Sequence, residues 1–192
     1  KSYFHSYFNS NHPVKIGIGR AGNVIGGGDW AVNRIIPDIV KSWSSNKEVV
    51  LRSPNSTRPW QHVLEPLSGY LKLAEHLFSS NDLNGESFNF GPSSDEEFSV
   101  LDLVKEMSKH WSKVKWGVDK NHSNVNYEST LLKLNCDKAL AKLKWKSTMT
   151  FSETVKMTSE WYKSFYSSSK SSTMISLKQI DEFQDLLFER KL

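Results

Sequence analysis

The sequence predicts an α/β fold in which short strands alternate with amphipathic helices. Three observations carry that expectation. The run Val14 to Arg20 alternates apolar and small residues and stops at a stretch too glycine-rich to be helical. Several later segments repeat apolar residues at helical spacing, each behind a recognisable N-terminal signal. Phe88 and Phe90 alternate around Asn89 and end at Gly91-Pro92, as a short strand does. Helices outnumber strands, and no internal repeat is visible.

In chain order, Tyr3, Phe4, Tyr7 and Phe8 share one face of a helix already under way at Lys1, which suggests a truncated N-terminus. Val14 to Arg20 is a strand, and Gly22 to Trp30 an ordered loop at its carboxyl end, the edge where open α/β sheets bind ligands. Ile35, Ile36, Ile39, Val40 and Trp43 mark a helix with Pro37 in its first turn. Val49 to Arg52 is a brief strand. Glu65-Pro66 reads as an N-cap and first helical residue, opening a helix that buries Leu67, Tyr70, Leu71, Ala74, Leu77 and Phe78 along one stripe.

Ser99 and Asp102 are spaced to cap a helix whose apolar positions are Val100, Leu103, Val104, Met107 and Trp111. Leu132 and Leu134 suggest a strand leading into a short helix from Asp137 to Leu143. Thr150 and Glu153 form a capping box before a helix carrying Val155, Trp161 and Phe165. Residues 167–175 are serine-rich and read as a linker, and Ser176 with Gln179 would start a last helix over residues 177–189.

Composition narrows the function classes. The 192 residues are 38% hydrophobic and 12% aromatic, enough for a globular core. A mean hydropathy of −0.52 with no long apolar run argues against a membrane span. The net charge of +4 is spread among acids at helical spacing, as at Lys105, Glu106, Lys109 and Lys113, so a solvated face is favoured over a nucleic-acid footprint. The single Cys136 can form no internal disulfide, and no signal-peptide pattern is present, which points to the cytoplasm. Cys136 has no ligand-type neighbours at metal spacing, so no metal site is expected.

Two motif matches mislead. Gly17 to Gly22 satisfies GxGxxG, but Asn23 to Gly28 cannot supply the helix whose N-terminus would face a pyrophosphate. Tyr166 and Lys170 match YxxxK, but three intervening serines leading into a linker offer no rigid helix to hold the pair.

The informative segments are Arg20-Ala21-Gly22-Asn23-Val24-Ile25-Gly26-Gly27-Gly28-Asp29-Trp30 and Arg58-Pro59-Trp60-Gln61-His62-Val63-Leu64-Glu65-Pro66-Leu67-Ser68-Gly69-Tyr70-Leu71. An Asn and backbone amides at a sheet mouth, with an Arg from a second segment, suit a pyrophosphate, because a guanidinium donates bidentately to phosphate oxygens. Together they resemble the extended short-chain dehydrogenase/reductase superfamily of nucleotide-sugar enzymes. Asn89-Phe90-Gly91-Pro92, Leu132 to Ala139 and Leu143-Lys144-Trp145 follow in the order shown by its CDP-glucose 4,6-dehydratase family.

That resemblance covers nearly the whole chain. It implies the C-terminal part of such an enzyme: the last strands of a Rossmann-type sheet plus a small mixed α/β substrate-binding lobe. Residues 1–30 would end the NAD-binding domain, 31–166 would form mainly the nucleotide-sugar lobe, and 176–192 a C-terminal helix after the linker. NAD would be bound mainly upstream, where the catalytic residues would also lie, so this chain alone would be inactive. The implied partners are a CDP-sugar and, for the intact enzyme, further copies of itself, with no nucleic acid and no membrane.

Residue by residue, the resemblance implies that Ala21 and Gly22 run beside the nicotinamide and that Asn23 faces the substrate phosphates and sugar. Arg34 and Ile35 would cover the nucleotide, Leu51 and Arg52 would lie along its base, and Arg58 would bind the pyrophosphate. Glu128 would make a later polar contact, although Asn124 to Glu128 departs from the family's His-Pro-His-Glu pattern. Plainer roles stay open: Asn23 as a turn cap, Arg52 as a surface ion-pair partner, Arg58 as the partner of a structural carboxylate. His62 reads as structural. Another nucleotide-sugar epimerase or dehydratase, and a non-catalytic binder, are the alternatives.

Overall fold

The computed structural model describes residues 2–8, 12–93, 95, 97–119, 133–167 and 171–190. Within them α1 (Ser2–Tyr7) precedes β1 (Ile18–Ala21), which pairs in parallel with β6 (Ser87–Phe90). β2 (Asn23–Ile25) pairs in parallel with β5 (Trp60–His62), and β3 (Val49–Leu51) with β8 (Trp116–Val118). The short β4 (Thr57–Arg58) and β7 (Phe98–Ser99) pair antiparallel. The glycine-rich stretch after β1 is therefore not wholly loop. Asn23 to Ile25 forms a strand because β5 arrives beside it, a long-range pairing that local composition cannot announce.

The helices are α2 (Ile35–Ser44), α3 (Leu64–Ser79), α4 (Val100–Ser108), α5 (Asp137–Leu143), α6 (Phe151–Ser167) and α7 (Ser172–Glu189). Both capping boxes form as expected. Ser99 Oγ accepts from the Asp102 amide while Asp102 takes the Ser99 amide at 2.9 Å, and Glu153 takes the Thr150 amide at 2.8 Å. Each ties down orphan N–H groups of a first turn.

Four expectations are corrected. α3 begins at Leu64, so Glu65 is inside its first turn rather than its N-cap. There its carboxylate turns inward to accept the amides of Thr148 and Met149. The buried face of α3 is Pro66, Gly69 and Leu73, with Tyr70 and Leu77 half-buried, whereas Leu67, Leu71, Ala74 and Phe78 are exposed. Gly69 sets that phase, because a Cβ there would stand 2.3 Å from the Phe90 ring and only glycine permits the close approach. Finally, α7 starts at Ser172, capped by Ser171 accepting from Met174, so part of the expected linker is helical. Gln179 is buried and donates to Met157 O at 2.7 Å instead of reaching back to Ser176. Residues 133–136 form no strand, and Leu132 lies outside the described residues.

Two main cores result. One joins α2, β3, α4 and α6 around Ile39, Trp43, Leu51, Leu103, Met107 and Tyr162. The other joins β1 and β6 to α3 and α5 through Leu73, Phe88, Phe90 and Trp145. Gln61 bridges them, since its side-chain amide donates to Phe90 O at 2.8 Å from the middle of β5. A smaller cluster of Met149, Met157 and Phe183 docks α7 on α6.

Candidate functional site

At the border of the first core, beside Ile25, Ile36 and Trp60, lies a cleft of about 930 Å³. Its floor is the start of β2, with Gly22 and Asn23. Gly22 passes so close to Pro59 that a Cβ would stand 2.8 Å from its ring, which fixes the chain as it leaves β1. One wall is the N-terminus of α2, with Arg34, Ile35, Ile36, Pro37 and Asp38. The other is Val50, Arg52, Ser53, Arg58 and Trp60.

The N-terminus of α2 is open. Its N-cap Arg34 is extended and makes no side-chain cap. Pro37 has no N–H and the Asp38 amide bonds Arg34 O at 3.0 Å, so the Ile35 and Ile36 amides and the positive end of the helix dipole are what the first turn offers the cleft, with the Asp38 carboxylate beside them. Three guanidinium groups add to that field. Arg34 is held by Asp29 at 3.2 Å. Arg52 donates to Asn33 O at 3.3 Å, from a turn in which Asn33 adopts φ 63°. Arg58 donates to Thr57 O at 2.8 Å on β4. An open helix start and three cations outnumber the carboxylates of Asp29 and Asp38 around one concavity, an arrangement suited to an anion, and the planar forks of arginine match phosphate geometry.

The loop that presents Asp29 is gripped from behind by α6. Tyr162 OH donates to Asp29 O at 2.7 Å and accepts from the Asp29 amide at 3.0 Å, while Asp29 Oδ1 caps the Ala31 amide. Burial pushes the Tyr162 hydroxyl up to about 12, so it stays protonated and keeps donating. Trp30 packs edge-on against Tyr162 and tilted against Phe165.

Behind the cleft, His62 is buried on β5. Its Nδ1 faces the Leu64 amide at 3.4 Å, and its Nε2 has no partner among the described residues. Burial lowers its pKa to about 4, so the ring is neutral and structural, as the sequence suggests. Gly17 and Gly19 are packed against Leu73, Leu77 and Tyr70 rather than opened toward a ligand, which agrees with rejecting the GxGxxG match. Tyr166 packs on Trp30 and Trp111, and Lys170 lies outside the described residues.

Of the residues singled out from sequence, Gly22, Asn23, Arg34, Ile35, Arg52 and Arg58 share this one cleft. Ala21 ends β1, one residue before it. The Leu51 side chain is fully buried in the core, while its strand neighbours Val50 and Arg52 turn to the cleft. Glu128 lies outside the described residues. Sequence reasoning missed Asp29, Asn33, Asp38, Ser53 and Trp60. Asp29 alone carried a signal, as the acid that closes the glycine run.

No family model matches the chain. It is 41% identical over 170 residues to a CDP-glucose 4,6-dehydratase of Salmonella typhimurium, a match covering 85% of this chain and 46% of that protein. A UDP-glucuronic acid 4-epimerase of Bacillus cereus, solved with UDP-glucuronic acid and NAD, superposes with TM-score 0.68 at 19% identity over 84% of this chain and 48% of its own. A dTDP-glucose 4,6-dehydratase of Bacillus anthracis, solved with NAD, gives TM-score 0.63 at 20% identity over 84% and 47%. The chain spans about half the length of these relatives. It is thus similar in sequence to a CDP-glucose 4,6-dehydratase and has the fold of the C-terminal part of the extended short-chain dehydrogenase/reductase epimerases and dehydratases.

Proposed function

We propose that this chain is the substrate-binding portion of an NAD-dependent CDP-glucose 4,6-dehydratase, which converts CDP-glucose to CDP-4-keto-6-deoxyglucose and water. The observation that carries the reading is the cleft in which Arg34, Arg52 and Arg58 surround the open N-terminus of α2. Arg58 and the α2 amides take the pyrophosphate, Asn23 holds the phosphates and sugar from the strand end, and Arg34 closes over the nucleotide. Leu51 contributes only through its backbone, with Val50 and Arg52 presenting side chains to the base. The sequence similarity to a CDP-glucose 4,6-dehydratase supports this choice of nucleotide sugar.

The residues described fit one edge of NAD only. Ala21 ends β1 and Gly22 borders the cleft, where the resemblance places the nicotinamide beside them. No dinucleotide-phosphate cradle exists among the described residues, since Gly17 and Gly19 are packed against α3 and Gly22 against Pro59 and Leu134. When bound, NAD supplies hydride acceptance and return. This chain's own residues bind and orient the sugar nucleotide, and the proton-transfer groups belong to the other half of the fold, so the chain alone is inactive. The intact enzyme is a cytoplasmic homo-oligomer.

Calorimetric titration with CDP, UDP, dTDP and CDP-glucose, in parallel with Arg58→Ala, tests the reading. Micromolar CDP binding that is lost in Arg58→Ala supports it. A folded chain that prefers UDP or dTDP would transfer the assignment to another nucleotide-sugar epimerase or dehydratase. Steep salt dependence with no preference for base or for CDP over CMP would leave only a polyanion binder.

A further inference from the structure

The cleft carries two carboxylates among its cations, and they are not alike. Asp29 is engaged within the protein: its Oδ2 holds Arg34 at 3.2 Å and its Oδ1 caps the Ala31 amide at 3.0 Å. The Asp38 carboxylate makes no hydrogen bond or ion pair among the described residues, and Arg34, one turn before it, pairs with Asp29 instead. An acid in a first turn serves the helix dipole from any side of the helix. Asp38 stands on the cleft side. At about 100° per residue it lies about 60° from Ile35, which also lines the cleft, and at least about 140° from the buried Ile36, Val40 and Trp43. A free carboxylate weakens a site for phosphate, so its place is explained by a part of the ligand that donates.

Level with Asp38 runs β3. The chain turns back through residues 45–48 and packs β3 on α2, and Trp43 Nε1 and the Val49 amide both donate to Lys115 O, at 2.9 and 3.1 Å. The end of the helix therefore lies beside the start of the strand. With about 1.5 Å per helical residue and about 3.3 Å per strand residue, Val50 to Arg52 run back along the first two turns of α2. The Val49 amide and the Leu51 carbonyl are bonded on the β8 side, to Lys115 O and by the Asp119 amide. The Val50 N–H and C=O between them point to the other edge, which carries no strand among the described residues. One N–H beside one C=O suits cytosine and uracil alike, since each base offers a neighbouring donor and acceptor. The backbone does not choose between them, whereas a side chain of fixed sign does.

We propose that Asp38 selects the base, accepting from the exocyclic 4-amino group of a cytosine nucleotide and rejecting the 4-carbonyl of uracil or thymine. A carboxylate only accepts, so it bonds the amino group, as Asp and Glu do in direct readout of cytosine, and repels a carbonyl oxygen at the same position. The proposal rests on reading the cleft as a nucleotide-sugar site and names the side chain behind its base preference.

The test is calorimetry with CDP, UDP and pyrimidin-2-one riboside diphosphate, which is CDP without the amino group, on the parent chain, Asp38→Asn and Asp38→Ala. The parent should prefer CDP to either other ligand at least about ten-fold, within the range that a good direct base contact supplies. Asp38→Asn, whose amide can turn its NH2 toward a carbonyl, should bring CDP and UDP within about three-fold of each other. Asp38→Ala should bind CDP and its deaminated analogue alike, also within about three-fold. Circular dichroism and melting check that both variants fold, and the ligand series on the parent chain needs no variant. A CDP preference that survives both substitutions would overturn Asp38 as the selector and leave the proposed function standing. So would equal tightening of all three ligands with their ratios unchanged, because Asp38 would then act only by repelling phosphate. A folded parent chain that binds none of the three, or prefers UDP, would sink the functional reading and the selector together.

Discussion

Tyr162 holds Asp29 by both backbone groups of one residue, its hydroxyl donating to the carbonyl at 2.7 Å and accepting from the amide at 3.0 Å. A side chain on α6, 133 residues away in sequence, thereby fixes the loop whose carboxylate holds Arg34 at the mouth of the cleft. The surface ion pair itself contributes little, because both partners are partly solvated. Its value is positional: it presents a guanidinium already oriented toward an anion.

Tyr162→Phe tests that relationship. The two lost bonds should cost about 1–3 kcal/mol of stability, since the Asp29 backbone groups keep only part of their hydration in exchange. CDP affinity should fall about three- to ten-fold through loss of preorganisation at Arg34. Urea unfolding and calorimetry read the two effects separately. Unchanged values in both would show that the loop holds its shape without α6.

Gly27→Ala probes the same loop from its other side. A Cβ at Gly27 would stand 2.0 Å from the Trp161 ring, inside any permissible contact. Loop or indole must therefore move, at a cost of about 1–3 kcal/mol. Gly28 adopts φ 83°, so Gly28→Ala is strained for a different reason, backbone conformation rather than space. Denaturation midpoints for the two variants, compared with Tyr162→Phe, should all fall, and a Gly27→Ala midpoint equal to that of the parent chain would contradict the packing argument.

Ser99→Ala removes a capping box. Ser99 Oγ both accepts from the Asp102 amide at 3.1 Å and donates to its carboxylate at 2.6 Å, and that contact holds the Asp102 carboxyl below its usual range. Loss of about 0.5–2 kcal/mol is expected. Because Ser99 lies on β7, next to the Arg58 and Phe98 pairing, CDP binding should weaken slightly too. A melting temperature equal to that of the parent chain would mean that another group caps α4.

How far the sequence reached depended on whether a signal was local. Both capping boxes, the strand at Phe88 and Phe90, and helix α2 with Pro37 in its first turn needed only neighbours, and all appear. The joint appearance of Asn23, Arg34, Arg52 and Arg58 on one cleft was legible through the resemblance of two long motifs. The phase of α3 was not. Its apolar residues span more than one face, and only the contact of Gly69 with Phe90 selects the one that is packed. Strand β2 was hidden for a related reason, since Asn23 to Ile25 becomes extended only by pairing with Trp60 to His62. Asp29 went unassigned because its role comes from Tyr162, far along the chain.

The last prediction concerns pH and sets two buried groups against each other. His62 has its folded pKa lowered to about 4 by burial, from 6.5, so the stability it contributes is present above 6.5 and is lost as pH falls toward 4. Glu65 has its folded pKa raised to about 7, from 4.5. Burial outweighs the amides of Met149 and Thr148 and the charge of Arg190, with Glu153 adding to the rise. Its stability is present below 4.5 and is lost as pH climbs toward 7. Between about pH 4.5 and 6.5 the unfolded chain binds the extra proton at His62 and the folded chain binds it at Glu65, so the two slopes, each about 1.4 kcal/mol per pH unit, cancel. The parent chain should therefore show nearly constant stability across that window in urea titrations. Glu65→Gln should uncover a rise with pH and His62→Phe a fall, each totalling about 3 kcal/mol. Variants with parallel, flat profiles would mean that neither group is titrating where its burial places it.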